Sequence, residues 1–159
     1  MLRAVEIDDR HHIAIADDGN HQFAEARRIA SDMAGECMNV FDEHPFKVIF
    51  DYGHNAHAVG VMADLAQRLD VAGRRIVVVA APGDRRDEDI RDQTAILGAA
   101  FDDFILFQDA CQRGREDGEV LALLRAGLSQ AARAQHVEEI RGEFLAIDTA
   151  LARLQPGDL

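Results

Sequence analysis

The sequence predicts an α/β fold in which a mainly parallel sheet is flanked by helices. From position 47 onward, short β-branched runs alternate with amphipathic segments of about 12 to 18 residues, a pattern typical of parallel strands joined by helical crossovers. The run at 75–80 is continuously apolar after Arg75, as expected of a strand that is buried on both faces. A chain of 159 residues is long enough to bury one ordinary core. We therefore expect one domain with a small appendage.

The elements of this domain follow one another in a regular order. We expect strands at 47–51, 75–80, 104–107 and 136–140, and helices at 55–69, 88–100, 118–134 and 143–154. A Pro-Gly-Asp turn at 156–158 comes after the last helix, and in a doubly wound sheet such a turn leads into another strand. Only Leu159 follows the turn, so we expect the domain at 38–159 to lack its last strand.

Residues 1–37 differ from the rest of the chain in their sequence pattern and are predicted to form an N-terminal appendage of unknown origin. Residues 3–6 and 13–16 have the length of a short hairpin, and residues 22–33 have the pattern of a helix. A missing strand leaves an unpaired sheet edge, which is a site for pairing with another chain. We therefore expect a homo-oligomer, with pairing of an N-terminal segment to this edge as the alternative.

Composition and charge exclude several classes of protein. The net charge of −12 argues against a nucleic-acid binder, because such proteins neutralise phosphates with clustered Lys and Arg. No apolar stretch reaches the roughly 20 residues of a membrane helix, and the N-terminus is too charged for a secretory signal. Cys37 and Cys111 lie far apart, so neither a zinc site nor a disulfide is indicated. We expect a cytoplasmic protein with no membrane and no nucleic-acid partner.

Three loops that follow the first three strands carry the candidate chemistry, since ligands bind outside the carboxyl ends of the strands in an open α/β sheet. They comprise residues 51–55, 81–89 and 108–115. Asp51 is placed either to accept hydrogen bonds from a ribose diol or to cap the next helix. His54 is placed to orient a substrate or a phosphate, or to satisfy a backbone group. His54 and His57 have the spacing of two metal ligands, but no third ligand lies at a suitable spacing, so a metal site is not expected.

The arginines fall into two groups along the sequence. The first, expected to form one basic cluster, is Arg74, Arg75, Arg85, Arg86 and Arg91, and the second is Arg113 and Arg115. Each of these side chains is either a solvated surface charge or part of a site for an acidic molecule. Acidic residues at 87–89 open a predicted helix, where the helix dipole favours negative charge, so part of the acidity of this loop is structural.

Three segments carry a resemblance to a known family. They are MNVFDEHPFKV at 38–48, DYGHN at 51–55 and APGDRRDEDIR at 81–91. Together they resemble the C-terminal, Rossmann-like domain of the Mur-type ligases. The long arginine-bearing loop and the later Arg113-Gly114-Arg115 are similar to the cyanophycin synthetases within that group. The resemblance covers residues 38–159.

The resemblance implies an ATP-dependent amide ligase. Enzymes of this group use ATP to phosphorylate a carboxylate, and an amine then attacks the acyl phosphate. Cyanophycin synthetases in this way add arginine to the side-chain carboxylates of polyaspartate. The resemblance implies that His54 is catalytic, close to the reacting phosphate, and that Asp51 and Asn55 bind the nucleotide. It further implies a set of substrate-binding residues: Asp84, Arg85, Arg86, Arg113 and Arg115.

The sequence departs from this family where the phosphates are bound. The P-loop that holds the triphosphate and magnesium lies in a separate central domain of these ligases, and the sole lysine here, Lys47, follows no glycine-rich turn. Glu36 and Cys37 stand where the family carries Gly-Arg. We therefore expect a lobe that is inactive alone, has no tightly bound cofactor, and uses ATP and Mg only with an ATPase or ATP-grasp portion in trans. The alternative is a non-catalytic binding or scaffold protein that holds an acidic peptide or a nucleotide.

Overall fold

A computed structural model describes residues 38–41, 44–53, 55–108 and 110–159. The predicted appendage at 1–37, with its expected hairpin and helix, lies outside the described residues. The strands are β1 Met38–Phe41, β2 Val48–Asp51, β3 Ile76–Val79, β4 Asp103–Gln108 and β5 His136–Arg141. The helices are α1 Ala56–Arg68, α2 Asp87–Leu97, α3 Glu119–Gly127 and α4 Glu143–Arg153, with a short 3-10 turn at Leu128–Gln130.

The strands form two sheets that are joined by residues 157–159. β1 and β2 pair antiparallel, whereas β3, β4 and β5 form a parallel sheet in that order. On the β2 side, the N–H of Lys47 donates to the carbonyl oxygen of Asp158 at 2.9 Å. On the β3 side, the N–H of Leu159 donates to the carbonyl oxygen of Arg74 at 2.9 Å. The predicted α/β fold with a mainly parallel sheet is confirmed.

Asp158 holds residues 157–159 in this position. Its side chain is 3% exposed and accepts the N–H groups of Arg74 at 2.8 Å and Gln155 at 2.9 Å. It also pairs with the guanidinium of Arg74 at 2.8 Å. Burial alone would raise the pKa of Asp158, but the hydrogen bonds from Gln155 and Arg74 outweigh burial and hold the pKa below its ordinary value.

The predicted strands and helices from residue 47 onward are present, but the third helix is shorter than expected. It ends at Gly127 rather than at 134, and a 3-10 turn follows, as is common at helix ends. A Cβ at Gly127 would collide with the carbonyl oxygen of Arg91 and with Oγ1 of Thr94, so the glycine allows α3 to approach α2 closely. Oγ1 of Thr94 donates across this contact to the carbonyl oxygen of Leu124 at 2.7 Å.

The expectation that the second predicted strand, now β3, is fully buried is wrong. Only Val77 is buried, whereas Ile76, Val78 and Val79 are half-buried. β4 is buried along most of its length because it has a hydrogen-bonded strand on each side. Among the described residues, β3 pairs with β4 alone, and the position on its other side is occupied only at its start, by residues 157–159.

The core lies on both faces of the parallel sheet, because successive side chains of a strand point to opposite faces. Phe104 and Leu106 of β4 belong to a large cluster with α1, α2 and α3 on one face. On the other face, Ile105 packs in a smaller cluster with β5 and with Ala146 and Ala150 of α4. The helices of the described part are all too short or too polar to cross a lipid bilayer.

Candidate functional site

The loops after β2, β3 and β4 meet around one cavity of about 560 Å³. They meet because these three strands run in the same direction, so that their carboxyl ends reach the same edge of the fold. The polar part of the cavity is lined by Asp51, Tyr52, Gly53, Pro82, Gly83, Arg85, Cys111 and Arg113. The rest of the cavity is mainly apolar and runs back between β2 and β3 to Leu159.

Asp51 ends β2 with one satisfied and one unsatisfied carboxylate oxygen. Oδ1 accepts the N–H of Gly53 at 2.7 Å, whereas Oδ2 is buried and has no hydrogen-bond partner among the described residues. Burial raises the pKa of Asp51, and backbone hydrogen bonds from Gly53 and Tyr52 partly oppose this rise. A buried oxygen without a donor is costly, so a ligand hydroxyl at this point would be favoured.

Asn55 caps α1, because its side-chain oxygen accepts the N–H of Ala58 at 3.0 Å. Asp51 therefore does not serve as this cap, while the nucleotide-binding role of Asn55 stays a prediction. His54, the predicted catalytic residue, lies outside the described residues. Within the described ranges there is no group of three His, Cys, Asp or Glu side chains that could hold a metal ion.

An exposed ion pair links the loop after β3 to the loop after β4. Nη1 of Arg113 donates to Oδ2 of Asp84 at 3.1 Å, and the hydrogen bond from Arg113 holds the pKa of Asp84 below its ordinary value. The backbone of Arg113 has a φ of 50°, a left-handed conformation that is uncommon outside glycine. Because exposed ion pairs are weak, an acidic ligand can compete with Asp84 for this guanidinium.

Arg115 braces the two loops instead of opening toward the cavity. Its guanidinium donates to the carbonyl oxygens of Gly83 at 2.7 Å and Arg85 at 2.6 Å, and pairs with Asp87 at 2.8 Å. The side chain is only 15% exposed. Gly83 also packs so tightly that a Cβ there would collide with the carbonyl oxygen of Gln112. These contacts make the two loops a single wall of the cavity.

Arg85 and Arg86 are adjacent in sequence but differ in their surroundings. Arg86 makes two hydrogen bonds to the carboxylate of Asp89, at 2.9 Å and 2.7 Å. The exposed side chain of Arg85 lines the cavity and has no hydrogen bond or ion pair within the part of the chain that the structure describes. Of these two predicted substrate-binding arginines, Arg85 is the one with its guanidinium available to an incoming anion.

The single basic cluster expected from Arg74 to Arg91 is wrong, because β3 separates its members. Arg74 and Arg75 precede β3, whereas Arg85 follows it at the opposite end. Arg74 is held by Asp158 and Asp103, and Arg75 donates to backbone carbonyls of the α1 region.

Tyr52 and Cys111 also line the cavity, although sequence reasoning assigned them no role. Tyr52 is 79% exposed, and the thiol of Cys111 is exposed. The signal that identifies them is position: each lies in a loop directly after a strand, at the edge where the ligand is expected.

The described residues fit only part of a nucleotide site. Oδ2 of Asp51 is suited to a ligand hydroxyl. Lys47 lies just before β2, away from the polar part of the cavity, and its Nζ donates to the carbonyl oxygen of Asp70 at 2.9 Å. The chain therefore brings no lysine to a triphosphate at this edge.

Comparison with known proteins agrees with this geometry. Residues 36–159 match the family described as Mur ligase, glutamate ligase domain. The chain is 35% identical to a cyanophycin synthetase of Geminocystis herdmanii over 122 residues, which make up 77% of this chain and 14% of the relative. It is 36% identical to a cyanophycin synthetase of Trichormus variabilis over 117 residues, or 72% of this chain and 12% of the relative. The chain thus spans a small fraction of the length of these relatives.

A solved structure shares the fold. The UDP-N-acetylmuramoyl-L-alanyl-D-glutamate 2,6-diaminopimelate ligase matches with a TM-score of 0.60 and 22% identity, over 76% of this chain and 24% of that chain. The family match includes β2 to β5 and the three loops that surround the cavity. The chain therefore belongs to the Mur ligase family, as a glutamate ligase domain.

Proposed function

We propose that this chain is the C-terminal lobe of an ATP-dependent amide ligase of the cyanophycin synthetase type. The proposed reaction joins arginine to the side-chain carboxylates of polyaspartate. A carboxylate oxygen takes the γ-phosphoryl group of ATP, and the amine of arginine then attacks the acyl carbon, so that phosphate leaves as the amide forms. The identity of 35% to a cyanophycin synthetase supports this choice of substrate class.

The observation that carries the proposal is that one cavity has the carboxylate of Asp51 on one side and the guanidinium groups of Arg85 and Arg113 on the other. On the β2 side, a buried oxygen of Asp51 has no hydrogen-bond partner among the described residues, and a ribose hydroxyl can donate to it. Arg85 and Arg113 line the opposite side, where guanidinium groups are suited to the carboxylates of an acidic polymer. His54 and Asn55 follow Asp51 in the chain, and we propose that they act near the phosphate and on the nucleotide side.

ATP and magnesium enter this proposal only through a second domain. They supply the phosphoryl group and neutralise its charge, whereas the residues of this chain bind and orient the reactants. Because Lys47, the sole lysine of the chain, lies away from the polar part of the cavity and donates to the backbone of Asp70, we propose that the isolated chain is inactive and works with an ATPase portion in trans. We place the reaction in the cytoplasm, where ATP is abundant.

The test is complementation of a cyanophycin synthetase portion that contains the ATPase domains but not the C-terminal lobe. Arginine incorporation into a polyaspartate primer is measured with ATP and magnesium. We expect incorporation only when both proteins are present, and we expect Arg85→Ala to lower it by about tenfold or more, since a charge-assisted contact to substrate is lost. Arg125→Ala is the matched control, because Arg125 of α3 pairs with Glu139 of β5 and neither residue lines the cavity.

Two results would contradict the proposal. Incorporation by this chain alone, persisting through repeated purification, would show that a phosphate site has been overlooked. No incorporation at a saturating excess of the lobe, with polyaspartate binding unaffected by Arg85→Ala, would favour a scaffold that does not use this cavity.

A further inference from the structure

A carboxylate at the start of α4 also lines the cavity and has no role in the site described above. Glu143 is the first residue of α4, directly after β5, and it lines the same cavity as Asp51, Arg85 and Arg113. Its side chain is exposed and makes no hydrogen bond or ion pair within the described ranges of the chain. Glu143 is therefore available to pair with a cationic ligand.

The arginines that flank Glu143 in the sequence are bonded to other carboxylates. Arg141, at the end of β5, makes two hydrogen bonds to the carboxylate of Asp117, at 2.7 Å and 2.8 Å. Arg153, at the end of α4, pairs with Glu138 at 2.6 Å. A ligand cation at Glu143 therefore competes with neither arginine.

The backbone that carries Glu143 is fixed to the parallel sheet. The N–H of Gly142 donates to the carbonyl oxygen of Gln108, the last residue of β4, at 3.1 Å. The N–H of Ala146 donates to the carbonyl oxygen of Gly142 at 3.2 Å, and the Ala146 side chain is fully buried against the sheet. The carboxylate of Glu143 thus lies at the same edge of the sheet as the loops after β3 and β4, and ligand binding has to order only its side-chain torsions.

An apolar stripe continues from Glu143 along the cavity side of α4. Ile147 and Leu151 follow Glu143 at intervals of four residues, about one helical turn each, and both line the cavity. Leu151 is 41% exposed and Ile147 is half-buried, so both offer apolar surface to a ligand. A carboxylate beside such a stripe suits a cation on a long apolar stem, because the stem packs on the apolar groups while the charged head is paired.

The charges of the cavity favour Glu143 as the contact for such a cation. Arg85 and Arg113 repel a guanidinium group, so a substrate that carries one needs a carboxylate in the same cavity. Among the described residues that line the cavity, Asp51 and Glu143 carry carboxylates. Oδ1 of Asp51 already accepts the N–H of Gly53, and its Oδ2 is buried, whereas Glu143 is exposed with both oxygens accessible.

We propose that Glu143 binds the guanidinium group of the incoming arginine and thereby selects this amino acid. The inference rests on the proposed function for the identity of the amine substrate. The planar guanidinium matches a carboxylate through two parallel hydrogen bonds, and the methylene groups of the arginine side chain lie along Ile147 and Leu151. Arg85 and Arg113 remain for the acidic polymer. Glu143 is a specificity-determining residue and takes no part in the transfer step.

The first test compares the binding of L-arginine and L-citrulline to the full chain, followed by NMR at the backbone amide of Ile147. Citrulline has a neutral urea group of similar shape in place of the guanidinium. We expect the parent to bind arginine about tenfold more tightly than citrulline, and Glu143→Gln to reduce this ratio to about one by weakening arginine binding. Asp148→Asn is the matched control, because Asp148 is an exposed carboxylate of α4 that does not line the cavity, and we expect it to keep the parent ratio.

The second test measures the same preference in the complementation assay, as kcat/KM for arginine over citrulline. We expect Glu143→Gln to lower this preference by about tenfold through the KM for arginine, with kcat nearly unchanged. A parent chain that supports no incorporation would contradict the proposed function, and the binding ratio would then decide the role of Glu143. Absence of arginine binding by the parent, or equal arginine binding by the parent and Glu143→Gln, would overturn the inference. A lower kcat at unchanged KM would also overturn it, because Glu143 would then act on the transfer step.

Discussion

The contact between α2 and α3 differs in burial from the gap between β2 and β3, although apolar residues line both. Between the helices, Gly127 and Thr94 bring the backbones together and a hydrogen bond closes a buried contact. Between the strands, Ile76 and Val78 are as apolar as any core residue, yet they remain half-buried. The difference is that the helices complete their own backbone hydrogen bonds, whereas a strand depends on a neighbour.

The burial of β3 is therefore limited by backbone pairing and not by its composition. Residues 157–159 supply that pairing at the start of β3, and the buried carboxylate of Asp158 holds them in place. Stability at the helix contact rests on close packing. Between β2 and β3, stability depends on the hydrogen bonds and the ion pair of Asp158, which is called the polar anchor below.

Gly127→Ala tests the helix contact and has the largest expected effect. The new methyl group would collide with the carbonyl oxygen of Arg91 and with Oγ1 of Thr94, so we expect the free energy of unfolding to fall by about 3 kcal/mol. Urea denaturation measures this change. Gly60→Ala is the control: a Cβ at Gly60 of α1 meets nothing within 4 Å, so we expect stabilisation of about 0.5 to 1 kcal/mol. Equal effects at the two sites would refute the close-packing explanation.

Asp158→Ala tests the polar anchor. The variant loses hydrogen bonds to the backbone of Arg74 and Gln155 and the pair with the Arg74 guanidinium, and we expect a loss of about 2 kcal/mol at neutral pH. Since the folded pKa of Asp158 is lowered, its contribution is present above the unfolded pKa near 3.8 and is lost as pH falls through the folded value. The difference from the parent should therefore be constant between about pH 5 and 8 and shrink in acid.

The control for the anchor is Asp148→Ala, at an exposed position on α4, where we expect a change within about 0.5 kcal/mol. A pH-independent difference between the parent chain and Asp158→Ala, extending to about pH 2, would mean that the charge of Asp158 contributes nothing.

Asp51→Asn has the smallest expected effect and the opposite sign. Burial raises the folded pKa of Asp51, so the parent loses stability as pH rises from the unfolded pKa near 3.8 through the raised folded value. Asn does not titrate, and we expect it to stabilise the chain by less than about 1 kcal/mol at neutral pH, discounted for partial solvent exposure. Thermal melts from pH 3 to 8 measure this. Asp64→Asn, exposed on α1, is the control, and an advantage that is equal at all pH values would contradict the burial argument.

The periodicity of the chain predicted the positions of the strands and loops around the site more reliably than it predicted how deeply each strand is buried. The strand before Asp51 and the loops at 81–89 and 108–115 follow from the alternation of apolar runs and turns, so the position of the cavity was predictable. The antiparallel strand β1 was not predicted, since four residues carry too little periodic signal. The half-buried state of β3 depends on which strands are neighbours, and local sequence does not record this.

The roles of the individual arginines were not predictable either. Arg85, Arg113 and Arg115 lie in similar arginine-bearing loops. The side chain of Arg85 has no partner among the described residues, whereas Arg113 pairs with Asp84 and Arg115 donates to backbone carbonyls. These differences arise from loop-to-loop contacts about 30 residues apart in the chain, whereas sequence patterns report on near neighbours.

The brace formed by Arg115 bears on how tightly a ligand can bind. Because its guanidinium fixes the carbonyl oxygens of Gly83 and Arg85, the loops after β3 and β4 keep their relative position before any ligand arrives. Binding then requires the ordering of a few exposed side chains, and the backbone of either loop loses little conformational entropy. A ligand that contacts both Arg85 and Arg113 therefore meets a preorganised surface, and its association is limited by encounter more than by loop rearrangement.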